Sequence, residues 1–157
     1  MISLKDTDYL KKAIALARTS LKKGDEPFGS ILVLDEKVLF EGHNEVSSGD
    51  HTRHPEFAIA RWAATNLTKE ERKRAIVYTS NEHCPMCAAA HGWVGLGKIV
   101  YAVSGKQLER WQKNWQLPKS PVNYFPINKI INVEVLGPIK EFEDEVKKLH
   151  QEFYNRP

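Results

Sequence analysis

The stretch Ala75-Ile76-Val77-Tyr78-Thr79-Ser80-Asn81-Glu82-His83-Cys84-Pro85-Met86-Cys87, followed by an Ala-rich run to Leu96 and then by Lys98-Ile99-Val100-Tyr101-Ala102-Val103, reads as strand, turn, helix and strand. The first run (75–79) and the last (98–103) are short, apolar and rich in β-branched and aromatic residues, as buried strands are. The segment between them, from about residue 85 to 96, is long enough for a helix, and Pro85 suits a helix's first turn. A strand, a helix and a second strand in succession belong to the alternation of strands and helices that gives an α/β fold.

Upstream, Leu10, Ile14, Ala17 and Leu21 recur at helical spacing, with Asp6 or Thr7 as a possible cap and Gly24 as a stop, so 8–22 is expected to be an amphipathic helix. Residues 30–34 and 37–42 flank a polar turn at Asp35-Glu36 and read as an antiparallel hairpin. A polar loop, 44–53, leads to His54-Pro55, which opens a second helix containing Phe57, Ile59, Ala60, Trp62 and Ala63. Downstream come a short helix at 106–113, a fifth strand at 133–136, and a last helix at 140–154 with Phe142, Val146, Leu149 and Phe153 on one face. The expected fold is a three-layer α/β/α sandwich around a mixed five-stranded sheet. With no repeat, low-complexity run or linker, 1–157 reads as one domain.

Two short strings in this frame carry chemistry: His54-Pro55-Glu56 and Cys84-Pro85-Met86-Cys87. One imidazole and two thiolates make a three-ligand zinc site whose fourth position stays open, the arrangement of a catalytic site. Zinc lowers the pKa of a water bound to it from about 15.7 toward about 7. Glu56, two residues beyond the imidazole, is then placed to carry protons. Cys84 and Cys87 are three apart and share one face of a helix's first turn, where exposed N–H groups favour thiolate over thiol. At the start of its own helix, Glu56 is pulled toward the ionised form by the dipole and toward the neutral form by any desolvation. The sequence leaves that balance open.

Other readings stand beside this one. A Cys-x-x-Cys pair alone also fits a thioredoxin-like redox motif, although that chemistry has no use for the upstream His-x-Glu. A structural zinc knot wants four protein ligands, and the histidines at 43, 51, 83 and 91 keep that alternative open. His150 lies in a charged C-terminal helix and is expected to be solvated.

His54-x-Glu56 followed by Cys84-x-x-Cys87 resembles the signature of the zinc-dependent cytidine and nucleobase deaminases. The similarity extends to Pro27-Phe28-Gly29 before the first strand and to Gly42-His43-Asn44 after the second, and so covers about residues 5–105. The cysteine string looks most like that of bacterial guanine deaminases. The resemblance implies that His54, Cys84 and Cys87 hold Zn2+, that Glu56 is the catalytic proton shuttle and that Asn44 contacts substrate. Phe28 lies in one of the shared strings and joins the substrate-contact candidates. The chain departs from the pattern twice. His83 replaces the Pro usual before the first cysteine and becomes a further candidate for substrate contact. Pro55 replaces the common Ala, a mild change at a helix's first turn.

The implied activity is hydrolytic replacement of an exocyclic amine on a purine or pyrimidine base or nucleoside, guanine- or cytosine-like, by oxygen with release of ammonia. Alternatives are tRNA adenosine deamination and a non-catalytic zinc-stabilised binding module. The family's habit implies a homodimer. Residues 111–128, rich in Trp, Pro and Asn, read as a lid or an interface. Within them Trp111 and Trp115 are candidates for stacking on a planar base, or for ordinary core packing. Composition excludes little. A net charge of +3, with basic residues interleaved with acids at 69–74, argues mildly against a polynucleotide partner. Two cysteines spent on metal rather than on a disulfide point to a reducing cytoplasm. No run reaches the roughly 18 apolar residues of a membrane span, and the N-terminus lacks the apolar core of a signal peptide.

Overall fold

The computed structural model describes residues 1–155. Helix α1 (Leu4–Lys22) starts earlier than its apolar periodicity indicates, because Ser3 and Asp6 close a reciprocal capping box ahead of the first buried residue. It ends at Gly24, whose φ of +89° is the left-handed conformation that glycine adopts without strain. Strands β1 (Gly29–Leu34) and β2 (Lys37–His43) form the expected hairpin. Asp35 and Glu36 both have positive φ, as the twist of a tight hairpin turn requires. Helix α2 (Pro55–Asn66) follows the polar loop. Lys69–Arg74, the stretch of interleaved charges, is a short helix, α3, with its own capping box from Thr68 and Glu71.

The βαβ unit is β3 (Ile76–Asn81), α4 (Pro85–Val94) and β4 (Ile99–Val103). Helix α5 (Gly105–Asn114), β5 (Val135–Leu136) and α6 (Glu143–Tyr154) complete the chain. The last helix is shorter than expected because Lys140–Phe142 form a separate 3-10 turn. The sheet order is β2-β1-β3-β4-β5. β1 pairs antiparallel with both β2 and β3, while β3–β4 and β4–β5 are parallel. The sheet is therefore mixed.

One face of the sheet carries α1 and α6, with Leu10, Ile14, Tyr78, Val100, Trp111, Val146 and Leu149 in a common core. The other face carries α2 and α4, with Leu32, Ile59, Ala63, Val77 and Leu96 in the core between them. These are the three expected layers. Helix α1 lies so close to β1 that a Cβ on Gly29 would stand 2.2 Å from the carbonyl oxygen of Ala13 and 2.4 Å from the amide nitrogen of Ala17. No helix among the described residues is long and apolar enough to cross a membrane.

Candidate metal and catalytic site

Helices α2 and α4 begin in the same way. In each the residue before the helix is a metal-ligand candidate, His54 or Cys84, and the first helical residue is a proline. Proline pushes its predecessor out of the helical region, and both residues are extended, at φ/ψ of −92°/142° for His54 and −67°/166° for Cys84. Neither uses its side chain as a cap, so both side chains are free to turn toward each other. Pro55, a departure from the family's common Ala, thus does for His54 what Pro85 does for Cys84.

The sulfurs of Cys84 and Cys87 are 3.5 Å apart, and Nδ1 of His54 lies 3.5 Å from the first and 3.6 Å from the second. Tetrahedral zinc, with Zn–S of about 2.3 Å and Zn–N of about 2.05 Å, sets these edges at about 3.8 Å between sulfurs and about 3.6 Å from sulfur to nitrogen. The donor set and its triangle therefore fit Zn2+ with one position left open. Among the described residues these three are the His/Cys/Asp/Glu group that converges this closely. The imidazoles of His43, His51, His83 and His91 lie outside it, which removes the four-ligand knot. Hydrogen bonding with Cys87, and next with His54, outweighs burial and pushes the Cys84 thiol down to about 4. Hydrogen bonding with Cys84 first, opposed by burial, pushes His54 up to about 9. Thiolate character is thus built in at Cys84, where two helix N-termini meet, while hydrogen bonding with Cys84 and burial push the Cys87 thiol up.

Glu56 sits one residue inside α2 and is buried. One of its oxygens, Oε1, accepts hydrogen bonds from the hydroxyls of Ser30 and Thr79, each at 2.8 Å. The other receives neither. Burial raises the Glu56 pKa, while the His54 charge and the two hydroxyls oppose it. The balance that the sequence left open therefore falls on the side of desolvation. Ser30 and Thr79 escaped sequence reasoning. The only signal was a hydroxyl at the end of an otherwise apolar strand, which is too common to single out.

Asn44 is fully buried. Its Oδ1 accepts from the Val46 N–H at 3.0 Å, which leaves Nδ2 buried with no partner among the described residues. Its backbone N–H donates to the Phe28 carbonyl at 3.0 Å, linking the two substrate-contact candidates. The Phe28 ring meets His150 edge-on, with centroids 5.2 Å apart.

His150 corrects an expectation. It is buried, its Nε2 lies 3.3 Å from Oδ1 of Asn81, and burial lowers its pKa to about 3. It shares the inner face of α6 with Val146 and Leu149, one helical turn apart. His83 is also buried, and neither ring nitrogen has a partner among the described residues. It packs edge-on against His91 at 5.3 Å, and its pKa is lowered by burial and by that neighbour.

Trp111 lies in the core under α6, with Nζ of Lys147 5.8 Å from its ring centroid, so its faces serve packing. Trp115 is half-buried against Tyr154, and with Leu117, Gln151, Tyr154 and Asn155 it lines a cavity of about 300 Å³. The irregular stretch after α5 is anchored rather than loose. The buried Glu82 carboxylate accepts from the Gly105 N–H, the Tyr124 hydroxyl and the Ile127 N–H, each at 3.0 Å.

Residues 3–103 match the profile described as the cytidine and deoxycytidylate deaminase zinc-binding region. The chain belongs to this deaminase family. It is 30% identical over 158 residues to a probable cytosine deaminase of Schizosaccharomyces pombe, a match covering 98% of this chain and 95% of that protein. Identity to the guanine deaminase of Bacillus subtilis is 38% over 96 residues, 60% of this chain and 62% of that enzyme. A solved structure from work on A-to-I editing by tRNA:A34 deaminases aligns with a TM-score of 0.59 at 26% identity, covering 83% of this chain and 96% of that one. With the family goes the enzyme class: the chain is a zinc-dependent hydrolytic deaminase, and His54, Cys84 and Cys87 form a group that could hold the metal.

Proposed function

We propose that this deaminase acts on a free nucleobase, cytosine or guanine, replacing its exocyclic amine by a carbonyl oxygen and releasing ammonia. The observation that carries the chemistry is the placement of Glu56, buried beside an open-sided ligand triangle with one oxygen pinned by two hydroxyls. When bound, zinc supplies the Lewis acidity that makes water nucleophilic near neutral pH. Glu56 takes one proton of the attacking water on its unpinned oxygen and passes it to a ring nitrogen, then takes a second from the hydroxyl added at the ring carbon and passes it to the departing amine, which leaves as ammonia. Ser30 and Thr79 hold the carboxyl in place through both transfers. Asn44, with its spare amide N–H, donates to an acceptor on the ring.

A small ring is favoured over a polynucleotide by the C-terminal helix. His150, on the inner face of this helix, meets the ring of Phe28 with centroids 5.2 Å apart, so the helix packs against a substrate-contact candidate. The first turn of the same helix carries Glu143, Asp144 and Glu145, whereas a polynucleotide path needs clustered Lys and Arg. The extent of the match to a probable cytosine deaminase, through this last helix, supports the same reading. The reading includes a homodimer and a cytoplasmic setting, where thiols reserved for metal stay reduced.

The test is Glu56→Gln in the zinc-loaded protein, assayed for ammonia release from cytosine and guanine. Zinc content and folding should be retained while turnover falls by about 10²- to 10⁴-fold. Undiminished turnover, or a wild-type chain inert on both bases, rules the proposal out.

A further inference from the structure

Asn81 ends strand β3, two residues beyond the Thr79 that holds Glu56. Side chains alternate along a strand, so Thr79 and Asn81 leave it on the same face. Asn81 also stands at the carboxyl end of β3, level with Val103 of the parallel β4, and ligands of open α/β sheets bind outside that end. The residue is buried, at 2% exposure. Its Oδ1 accepts from the Ser80 hydroxyl and from Nε2 of His150, each at 3.3 Å. Both partners are fastened to the segment that leads to the catalytic acid. Ser80 Oγ accepts from the Gly29 N–H at 3.1 Å, next to the Ser30 that holds Glu56, and the His150 ring meets Phe28 edge-on.

Two donors on Oδ1 fix which way the amide faces. Its other end, Nδ2, is buried with no partner among the described residues. A buried amide donor left unpaired is costly, and turning the amide over would strip Ser80 and His150 of their acceptor. The donor is therefore preorganised for an acceptor that arrives from outside the chain. Asn44 repeats the pattern: its Nδ2 is likewise buried and unpartnered, and its backbone N–H is tied to the Phe28 carbonyl. Two spare amide donors thus flank residues 28–30 beside Glu56.

We propose that Asn81 reads a carbonyl on the substrate ring: its Nδ2 donates to an exocyclic oxygen one ring nitrogen away from the carbon that bears the amine. Guanine and cytosine share this pattern although their rings differ. The amine and oxygen of guanine flank N1 as those of cytosine flank N3. A carbonyl oxygen has two lone pairs, so it accommodates Asn81 and Asn44 together. Aminated rings without that oxygen, adenine among them, leave Nδ2 buried and unpaired and are the class rejected. This inference rests on the deaminase reading and deepens it.

The experiment compares wild type, Asn81→Leu and Asn81→Asp as zinc-loaded full chains. Calorimetry measures binding of guanine against 2-aminopurine and of cytosine against 4-aminopyrimidine, and ammonia release gives KM and kcat. The analogues lose a ring N–H as well as the oxygen, so the change in preference between proteins, rather than the preference itself, isolates Asn81. Wild type should prefer at least one oxygen-bearing base over its analogue by about 10- to 100-fold, the range for leaving a buried donor unpaired. Asn81→Leu should bind that base about 10-fold or more weakly and its analogue no worse, with KM moving more than kcat. Asn81→Asp keeps Oδ1 for Ser80 and His150 but turns the donor into an acceptor, so its preference should fall at least as far; it carries the comparison if the leucine variant does not fold. A preference within threefold of wild type in the variants overturns the proposal, as does loss of zinc from Asn81→Asp or a wild type that binds none of these bases. Discrimination in binding without ammonia release sinks the deaminase reading but sustains the role of Asn81.

Discussion

Ser30 and Thr79 are register partners across the antiparallel β1–β3 pair, and their hydroxyl oxygens, 2.8 Å apart, both stand 2.8 Å from the same oxygen of Glu56. Two hydroxyl protons serve Oε1 in the ionised and the protonated acid alike, which leaves the other oxygen free to carry the proton. A cradle that accepts either state suits a group that gains and loses a proton in each turnover.

Removing one wall of the cradle should therefore slow the chemistry without emptying the metal site. Ser30→Ala and Thr79→Val are each expected to lower kcat by about 10- to 100-fold, the range for a hydrogen bond to a charged group. Zinc stoichiometry should stay at the wild-type value. A variant that loses its zinc together with its turnover would show that the hydroxyls shape the ligand triangle instead.

Chelation should destabilise the fold, because the triangle joins the starts of α2 and α4, and a ligand that binds only the folded state stabilises by mass action. With zinc at about 1,000 times its dissociation constant the effect is about 4 kcal/mol. For a chain of this length that is about 8–16 °C in Tm. Calorimetry before and after chelation, and again after zinc is restored, reads it. A Tm indifferent to chelation removes the metal from the folding balance.

Gly29→Ala tests the contact between α1 and β1. The new Cβ would meet helix backbone at 2.2 and 2.4 Å rather than a side chain able to turn aside. A loss of about 3 kcal/mol or more is expected, at the upper end for overpacking, read as a lower urea midpoint. A midpoint near wild type means that the helix can slide away.

Acid should weaken the anchor between α1 and the sheet. Burial pushes the Asp6 carboxyl up, but hydrogen bonds from Tyr78, whose hydroxyl donates at 2.7 Å, and from Ser3 outweigh it and hold the pKa below its usual value. A folded-state pKa below the unfolded one gives stability that is complete above the unfolded value of about 3.9 and is lost as pH falls through the folded value. Asp6→Asn should cost on the order of 1 kcal/mol at pH 7. Urea titrations of the two proteins should converge as the pH falls through the folded-state value, below the usual carboxylate range; a gap that does not narrow assigns the cost to something other than charge.

The convergence of His54, Cys84 and Cys87 was legible in the sequence because metal chemistry demands particular residue types at short spacings, and both strings are contiguous. The sheet was legible because its strands are short apolar runs with turn residues between them. What escaped was assembled across the fold. Nothing local marks Ser30 and Thr79 as partners of Glu56, since their meeting depends on strand register. His150 was misread from the charge of its surroundings, although its spacing from Val146 and Leu149 was that of the buried face. The stretch from 111 to 128 divided unexpectedly. Trp111 completes a helix and fills the core, while Tyr124 and Ile127 are tied down by Glu82, a carboxylate that looked like one more letter of the cysteine string.

That tie partitions the surface. Glu82 fastens the chain at Gly105, Tyr124 and Ile127, and the exposed residues 118–123 hang between these anchor points. An epitope or affinity peptide spliced into 118–123 would be mechanically insulated from the catalytic strand, which makes this bend the natural handle for immobilising the enzyme.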